Sequence, residues 1–287
     1  MTNSTTLRYR MTQGVKVPLL IYGTAWKEEG TSELTSAALR AGFRGIDTAN
    51  QRKHYFEAGV GEAVSGAFAE ELLTRDELFI QTKFTYIPGQ DHRLPYDPAA
   101  SIAEQVHQSC ASSREHLGVE VIDSYLLHGP SSRFELTETD WQAWGAMEKL
   151  QDEGRVKLLG ISNVHPDQLE ALLEKSVIKP SLVQNRCFAA TAWDQRVRKI
   201  CEAHGIGYQG FSLLTANRAV VVHPDMQTLA QKYGKSPAQI IFRFALQVGM
   251  LVLTGTTSTE HMAQDLNIFD FTLEESELAA IEIVGLD

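Results

Sequence analysis

The sequence predicts a closed (β/α)8 barrel, read as one domain over residues 1–287. Three observations predict it. Eight short apolar runs are spaced along the chain, helical patterns fill the gaps between them, and no change in composition marks a second domain. The chain has 287 residues, 43% of them hydrophobic, which suffices for one such barrel.

The strand-like runs are PLLIYGT (18–24), FRGIDTA (43–49), ELFIQTKF (77–84), VIDSYLLH (121–128), VKLLGISN (156–163), SLVQN (181–185), IGYQGFSLL (206–214) and MLVLTG (250–255). Most are continuous apolar stretches, as expected of parallel strands buried on both faces. The helical stretch 32–42 is expected to start at a Ser32 cap and stop at Gly42. The stretch 97–118 has Asp97 as cap, Pro98 in the first turn and Gly118 as stop. Further helices are expected over 137–154, 165–175, 194–205, 236–249 and 258–266, and a closing one over 272–285.

Bulk properties exclude several functions. A net charge of −10 argues against a nucleic-acid partner and against an anionic membrane surface. No apolar run approaches the roughly 20 residues of a membrane span, and the N-terminal stretch lacks a signal-peptide core. Cys110, Cys187 and Cys201 show no CxxC spacing and read as reduced, buried thiols, which points to a cytoplasmic protein. The nine histidines show no HxxxH spacing, so no metal is expected.

Active sites of such barrels lie at the C-terminal ends of the strands. Asp47, Lys83 and His128 end three consecutive runs. Each alone is an ordinary polar strand end. Together they ring one mouth. A buried Asp–Lys pair is costly but tunes a neighbour's pKa. A phenol starts near pKa 10, and a cation within about 4–6 Å favours its ionised form. Tyr55 follows Asp47 in the loop NQRKHYFE. A tuned phenol is a general acid, and His128 is placed to donate to a substrate oxygen.

The segments GFRGIDTAN, EAGVGEAV, LFIQTKF, IDSYLLHGP, MEKLQDEGRVKLLGISN, SLVQN and FSLL run in order from about residue 18 to about residue 266. Taken as a set, the chain resembles the aldo-keto reductases. The resemblance implies that Asp47, Tyr55, Lys83 and His128 form a tetrad, with Tyr55 protonating a carbonyl while hydride arrives from NADPH or NADH. It implies a cofactor groove along Gly23, Thr24, Asp47, Ser162, Asn163, Gln184, Phe211, Ser212, Leu214, Gly255, Thr256, Thr257, His261, Gln264 and Asp265. It also implies a substrate pocket of Trp26, Phe56, Tyr86 and His128, a small carbonyl substrate, and a monomer or weak homo-oligomer. A Rossmann G-x-G-x-x-G is not found, and Gly59 and Gly61 read as a helix-packing feature.

Three departures from the family pattern stand out. Tyr55 lies eight residues after Asp47, a longer interval than the common five, and His54 competes for its role. Gly255 and His261 replace the usual Lys and Arg, and Asp265 replaces an Asn, which weakens the grip on a 2′-phosphate and makes NADH usable. The chain stops at Asp287, which predicts an open pocket walled by residues 130–139. Two other readings stay open: a cofactor-holding regulatory subunit with little turnover, and a Schiff-base aldolase using Lys83.

Overall fold

The computed structural model describes residues 8–286. A short antiparallel hairpin comes first, β1 (Tyr9–Thr12) and β2 (Val15–Pro18). Gln13 and Gly14, both at positive φ, make its two-residue turn. The sequence reading missed it, although a Gln-Gly pair between short extended runs is its signal. The hairpin plugs the bottom of the barrel. Val17 is buried in the same cluster as Ile21, Phe79, Leu126, Leu158, Leu182 and Leu251.

Eight strand–helix units follow. They are β3 (Leu20–Gly23) and α1 (Thr31–Ala41), β4 (Gly45–Asp47) and α2 (Glu57–Ala69), β5 (Phe79–Phe84) and α3 (Ile102–Leu117), and β6 (Ile122–Leu127) and α4 (Glu138–Asp152). The second half has β7 (Val156–Ser162) and α5 (Pro166–Lys175), β8 (Leu182–Arg186) and α6 (Gln195–Ala203). Then come β9 (Gly207–Phe211) with α7 (Arg218–Val221), α8 (Pro224–Tyr233) and α9 (Pro237–Gln247), and β10 (Met250–Thr254) with α10 (Thr259–Leu266). α11 (Glu275–Ile283) packs outside. All eight barrel strands pair in parallel, and β10 closes the ring between β9 and β3.

All eight predicted strands are present, at tighter bounds except β8, which shifts by one residue to end at Arg186. The run 206–214 splits, because strand geometry ends at Phe211 and Ser212 turns to φ 57°. Two caps differ. α1 begins at Thr31 after Gly30, with no side-chain cap from Ser32. α3 begins only at Ile102, where Ser101 and Glu104 form a reciprocal capping box; Asp97 instead closes a turn upstream. α7 and α8 were not foreseen.

Gly61 bears out the packing reading. A Cβ there would lie 1.9 Å from the His116 carbonyl oxygen, so α2 and α3 approach as closely as they do only without a side chain. All three cysteines are buried, and burial pushes each thiol up to about 12. They are inert core residues.

Candidate active site

The mouth of the barrel rests on a polar floor. Gln81, Gln184 and Gln209 are aligned across β5, β8 and β9 with Asp47 of β4. Gln81 Nε2 donates to Gln209 Oε1 at 2.8 Å, Gln184 Nε2 to the same oxygen at 3.0 Å, and Gln209 Nε2 back to Gln81 Oε1 at 3.1 Å. Ser124 of β6 adds a donor to Gln81 Oε1. Polar groups this deep are tolerated because each meets a partner.

Asp47 stands on this floor. Its Oδ1 accepts from Gln81, Gln184 and Lys83, and its Oδ2 from Lys83, at 2.7–2.9 Å. Lys83 is fully buried. Burial lowers its pKa while the Asp47 charge and hydrogen bonds oppose the drop. Thr48 O takes a further Lys83 proton, so all three ammonium hydrogens have acceptors.

The tyrosine reaches this pair from a loop. Lys83 Nζ lies 5.2 Å from the Tyr55 ring centroid, and the His128 ring lies 5.9 Å from it, edge to face. The longer loop is anchored at its far end by Glu57, the first residue of α2. Buried Glu57 is hydrogen-bonded to Thr82, Ser113 and His116. Tyr55 lines the cavity at the barrel mouth. His54 does not; it stacks on Trp26 at 3.9 Å on the rim. The Tyr55 phenol is pushed up, first by burial and then by the Asp47 charge. This differs from the expected lowering by Lys83, since the Lys83 charge is balanced by Asp47. The Tyr55 phenol is therefore held protonated.

His128 is held neutral. Burial, then the Lys83 charge and His54, pull it down to about 3. Its Nδ1 is 2.6 Å from Thr85 Oγ1. With the hydroxyl donating there, Nε2 carries the ring proton and is the donor left for a ligand.

A groove of about 650 Å³ runs from Trp26, Tyr55 and His128 over Ser162, Asn163 and Gln184 to His261, Gln264 and Asp265. That volume suits a bound small molecule or cofactor. Trp26, Asn163 and Ser212 line it at positive φ, between 53° and 62°. Strained non-glycine backbone of this kind clusters at functional sites. Both Gln184 amide hydrogens are taken by Asp47 and Gln209, leaving its Oε1 as an acceptor. Asn163 likewise commits Nδ2 to His128 O and Ser162 Oγ. At the far end the first turns of α9 and α10 open on the groove through Ala238 and His261, a setting that favours anions.

A family model described as the aldo/keto reductase family matches residues 20–285. The chain belongs to the aldo/keto reductase family. It is 32% identical over 276 residues to the "Uncharacterized oxidoreductase YtbE" of Bacillus subtilis, covering 95% of this chain and 90% of that protein. It is 33% identical over 288 residues to the D-galacturonate reductase of Fragaria ananassa, with coverage of 91% and 85%. The solved aldo/keto reductase from Brucella melitensis superposes with a TM-score of 0.81 at 29% identity, covering 98% of this chain and all of that one.

Most of the residues expected to line the site of this aldo/keto reductase do so. Gly23, Asp47, Phe211, Ser212, Leu214, Gly255 and Thr256 all border the groove. Three expectations need correction. Thr24 is buried with its hydroxyl donated to Asp47 O, so it supports the mouth from beneath. Thr257 is exposed and outside the groove wall. Phe56 points its ring at the Arg52 guanidinium, 4.1 Å away, and does not border the groove. Tyr86 lines a second cavity together with His128, next to the groove. The 130–139 segment contributes to that cavity only through Pro130, Ser131 and Thr139, while Phe134 is 88% exposed.

Three residues of this aldo/keto reductase escaped the sequence reading. Gln81 and Gln209 are signalled only as single polar residues inside apolar runs. Lys27, in the turn after Trp26, is buried, and its Nζ donates to Gly255 O at 2.7 Å. Burial lowers it to about 8. It sets a cation against the Gly255 carbonyl without itself bordering the groove. No helix among the described residues is long and apolar enough to cross a membrane.

Proposed function

We propose that this chain reduces aldehyde and ketone carbonyls to alcohols, with Tyr55 as proton donor, Lys83 and Asp47 as its supporting ion pair, and His128 as donor to the carbonyl oxygen. The convergence of Tyr55, Lys83 and His128 on one end of the groove carries the reading. Lys83 stands near enough to stabilise a phenolate as the proton leaves, and Asp47 holds that ammonium in place. Neutral His128 donates through Nε2 without adding charge. A Schiff-base enzyme has less support, because Lys83 is fully buried and has no free proton or lone pair to offer.

The groove residues fit a nicotinamide cofactor, which supplies hydride when bound. Gln184 Oε1 and Asn163 are placed to accept and orient a carboxamide, Phe211 to lie against a flat ring, and the first turns of α9 and α10, with Lys27, to meet phosphates. The 2′-phosphate position has weak support. Gly255 brings no side chain, and Asp265 faces the groove as a buried carboxyl raised to about 6, chiefly by burial. The preference for NADPH is therefore reduced, and NADH is usable.

We read residues 1–287 as one cytoplasmic domain acting alone or as a weak homo-oligomer. Steady-state reduction of an aldehyde panel with each cofactor tests the reading. Bound cofactor with no turnover of any aldehyde overturns it. A preference for NADPH above about 100-fold, or about 2.7 kcal/mol, overturns the cofactor assignment.

A further inference from the structure

Asn163 lines the groove with its backbone at φ 53°. We propose that Asn185 and Asp194, neither of which borders the groove, position Asn163 for the nicotinamide carboxamide, and that α11 braces the left-handed turn that carries Asp194. The inference rests on the reading of the groove as a nicotinamide site.

The ladder between β7 and β8 runs out at Ser162, which pairs with Gln184. Asn163 N still donates to Gln184 O at 3.0 Å, and Ser162 Oγ to the same oxygen at 2.6 Å. At Val164 a side chain takes over from the strand. Asn185 Oδ1 accepts from Val164 N at 3.0 Å, and Asn185 Nδ2 donates to Val164 O at 2.8 Å. One amide thus grips both backbone groups of the residue after Asn163. Held by Gln184 on one side and Asn185 on the other, Asn163 keeps its left-handed backbone, and its Nδ2 stays on His128 O at 2.8 Å.

Asn185 is itself oriented from behind. Its second Nδ2 hydrogen goes to Asp194 Oδ2 at 2.9 Å, and buried Tyr208 Oη donates to the same oxygen at 2.8 Å. Asp194 ends three consecutive left-handed residues, with Ala192, Trp193 and Asp194 at φ 50°, 55° and 58°. Such backbone is costly without glycine and persists only where neighbours hold it. Here the neighbours are α6 and α11. Fully buried Trp193 donates Nε1 to Ile281 O at 3.0 Å. Arg198 Nε donates to Trp193 O at 2.8 Å, and its guanidinium pairs with Glu282. A side chain that meets a ligand keeps its geometry only when its supports are fixed. Loosening this chain of contacts should therefore cost the ligand group that Asn163 orients and spare the phosphate end of the groove.

The test compares calorimetric Kd values for NADPH and for 2′-phospho-ADP-ribose, which is NADPH without its nicotinamide. Asn185→Leu removes the grip on Val164. Asp194→Gly removes the carboxylate while tolerating positive φ. Each is expected to weaken NADPH about tenfold and to leave the fragment within about twofold. Should either variant not fold, Tyr208→Phe, which takes one of the two donors from Asp194, carries the same comparison at about threefold. Lys157→Met, which breaks the pair with Asp123 at the start of β7, is the stability control. It is expected to lower the melting temperature and leave both affinities within about twofold. Equal losses for NADPH and fragment in the network variants, no loss for NADPH, or a loss confined to NADPH in Lys157→Met overturn the proposal. If the native protein binds NADPH no more tightly than the fragment, the nicotinamide reading fails separately. The crystal structure of ligand-free Asn185→Leu then decides this one: Asn163 leaving positive φ and His128 O supports it, and Asn163 unmoved overturns it.

Discussion

Lys83 Nζ lies 2.8 Å from each carboxylate oxygen of Asp47, and both side chains are buried. Asp47→Asn removes the countercharge and leaves a buried cation. The expected cost is about 3–5 kcal/mol of stability, because an uncompensated buried charge is worse than no charge. Lys83→Met combined with Asp47→Asn should recover part of that loss. Urea unfolding of the three variants measures it. A double variant less stable than Asp47→Asn alone would contradict this account.

Tyr55→Phe is expected to lower kcat/KM about 100- to 10,000-fold, the range for losing a positioned general acid. His54→Phe should change it only a few-fold, since His54 packs on Trp26 at the rim. Reversed effects in the two variants would move the proton donor to His54.

Two perturbed groups of the groove, His128 and Asp265, act on stability in opposite directions with pH. His128 titrates near 3 in the folded protein, against about 6.5 unfolded. The unfolded chain binds the proton first, so stability falls as pH drops from about 6.5 towards 3. Asp265 titrates near 6 folded, against about 3.9 unfolded. The folded protein keeps the proton longer, so its contribution is lost as pH rises through that interval. Asp265→Asn should therefore raise the melting temperature at pH 7.5 and have little effect at pH 4. An equal shift at both values would count against a buried ionising carboxyl.

The same side chain bears on the cofactor. Asp265→Asn and Gly255→Lys are each expected to raise kcat/KM for NADPH about tenfold relative to NADH, by removing an anion or adding a cation at the phosphate end. No change in the ratio for either variant would show that the 2′-phosphate lies elsewhere.

Lys27 predicts a pH-dependent affinity. Its folded value near 8 keeps it charged at pH 7 and neutral at pH 9. Cofactor Kd, followed by fluorescence, should rise between those values in the native protein. Lys27→Met should weaken binding about tenfold at pH 7 and flatten the dependence. A profile unchanged by the substitution would remove Lys27 from the phosphate site.

The sequence by itself determined the barrel and most of its mouth. Parallel strands buried on both faces read as continuous apolar runs, so β3 to β10 were visible, and Asp47, Lys83 and His128 were legible as polar ends of those runs. The membership of Gln184, Ser162 and Asn163 followed from strand-end position and the family resemblance. What was not legible depends on contacts between distant segments. Lys27 reaches Gly255 across 228 positions, and the glutamine floor joins residues 128 apart. No local pattern encodes either. Thr24 and Thr257 have the right residue type, but only the fold decides which face a side chain turns to. Which of Tyr55 and His54 faces the groove also depends on the fold: Tyr55 lines it, and His54 lies against Trp26. Hydrophobic periodicity is a local property, carried by each segment. Side-chain direction and charge balance are properties of packed neighbours, and these exist only once the barrel has closed.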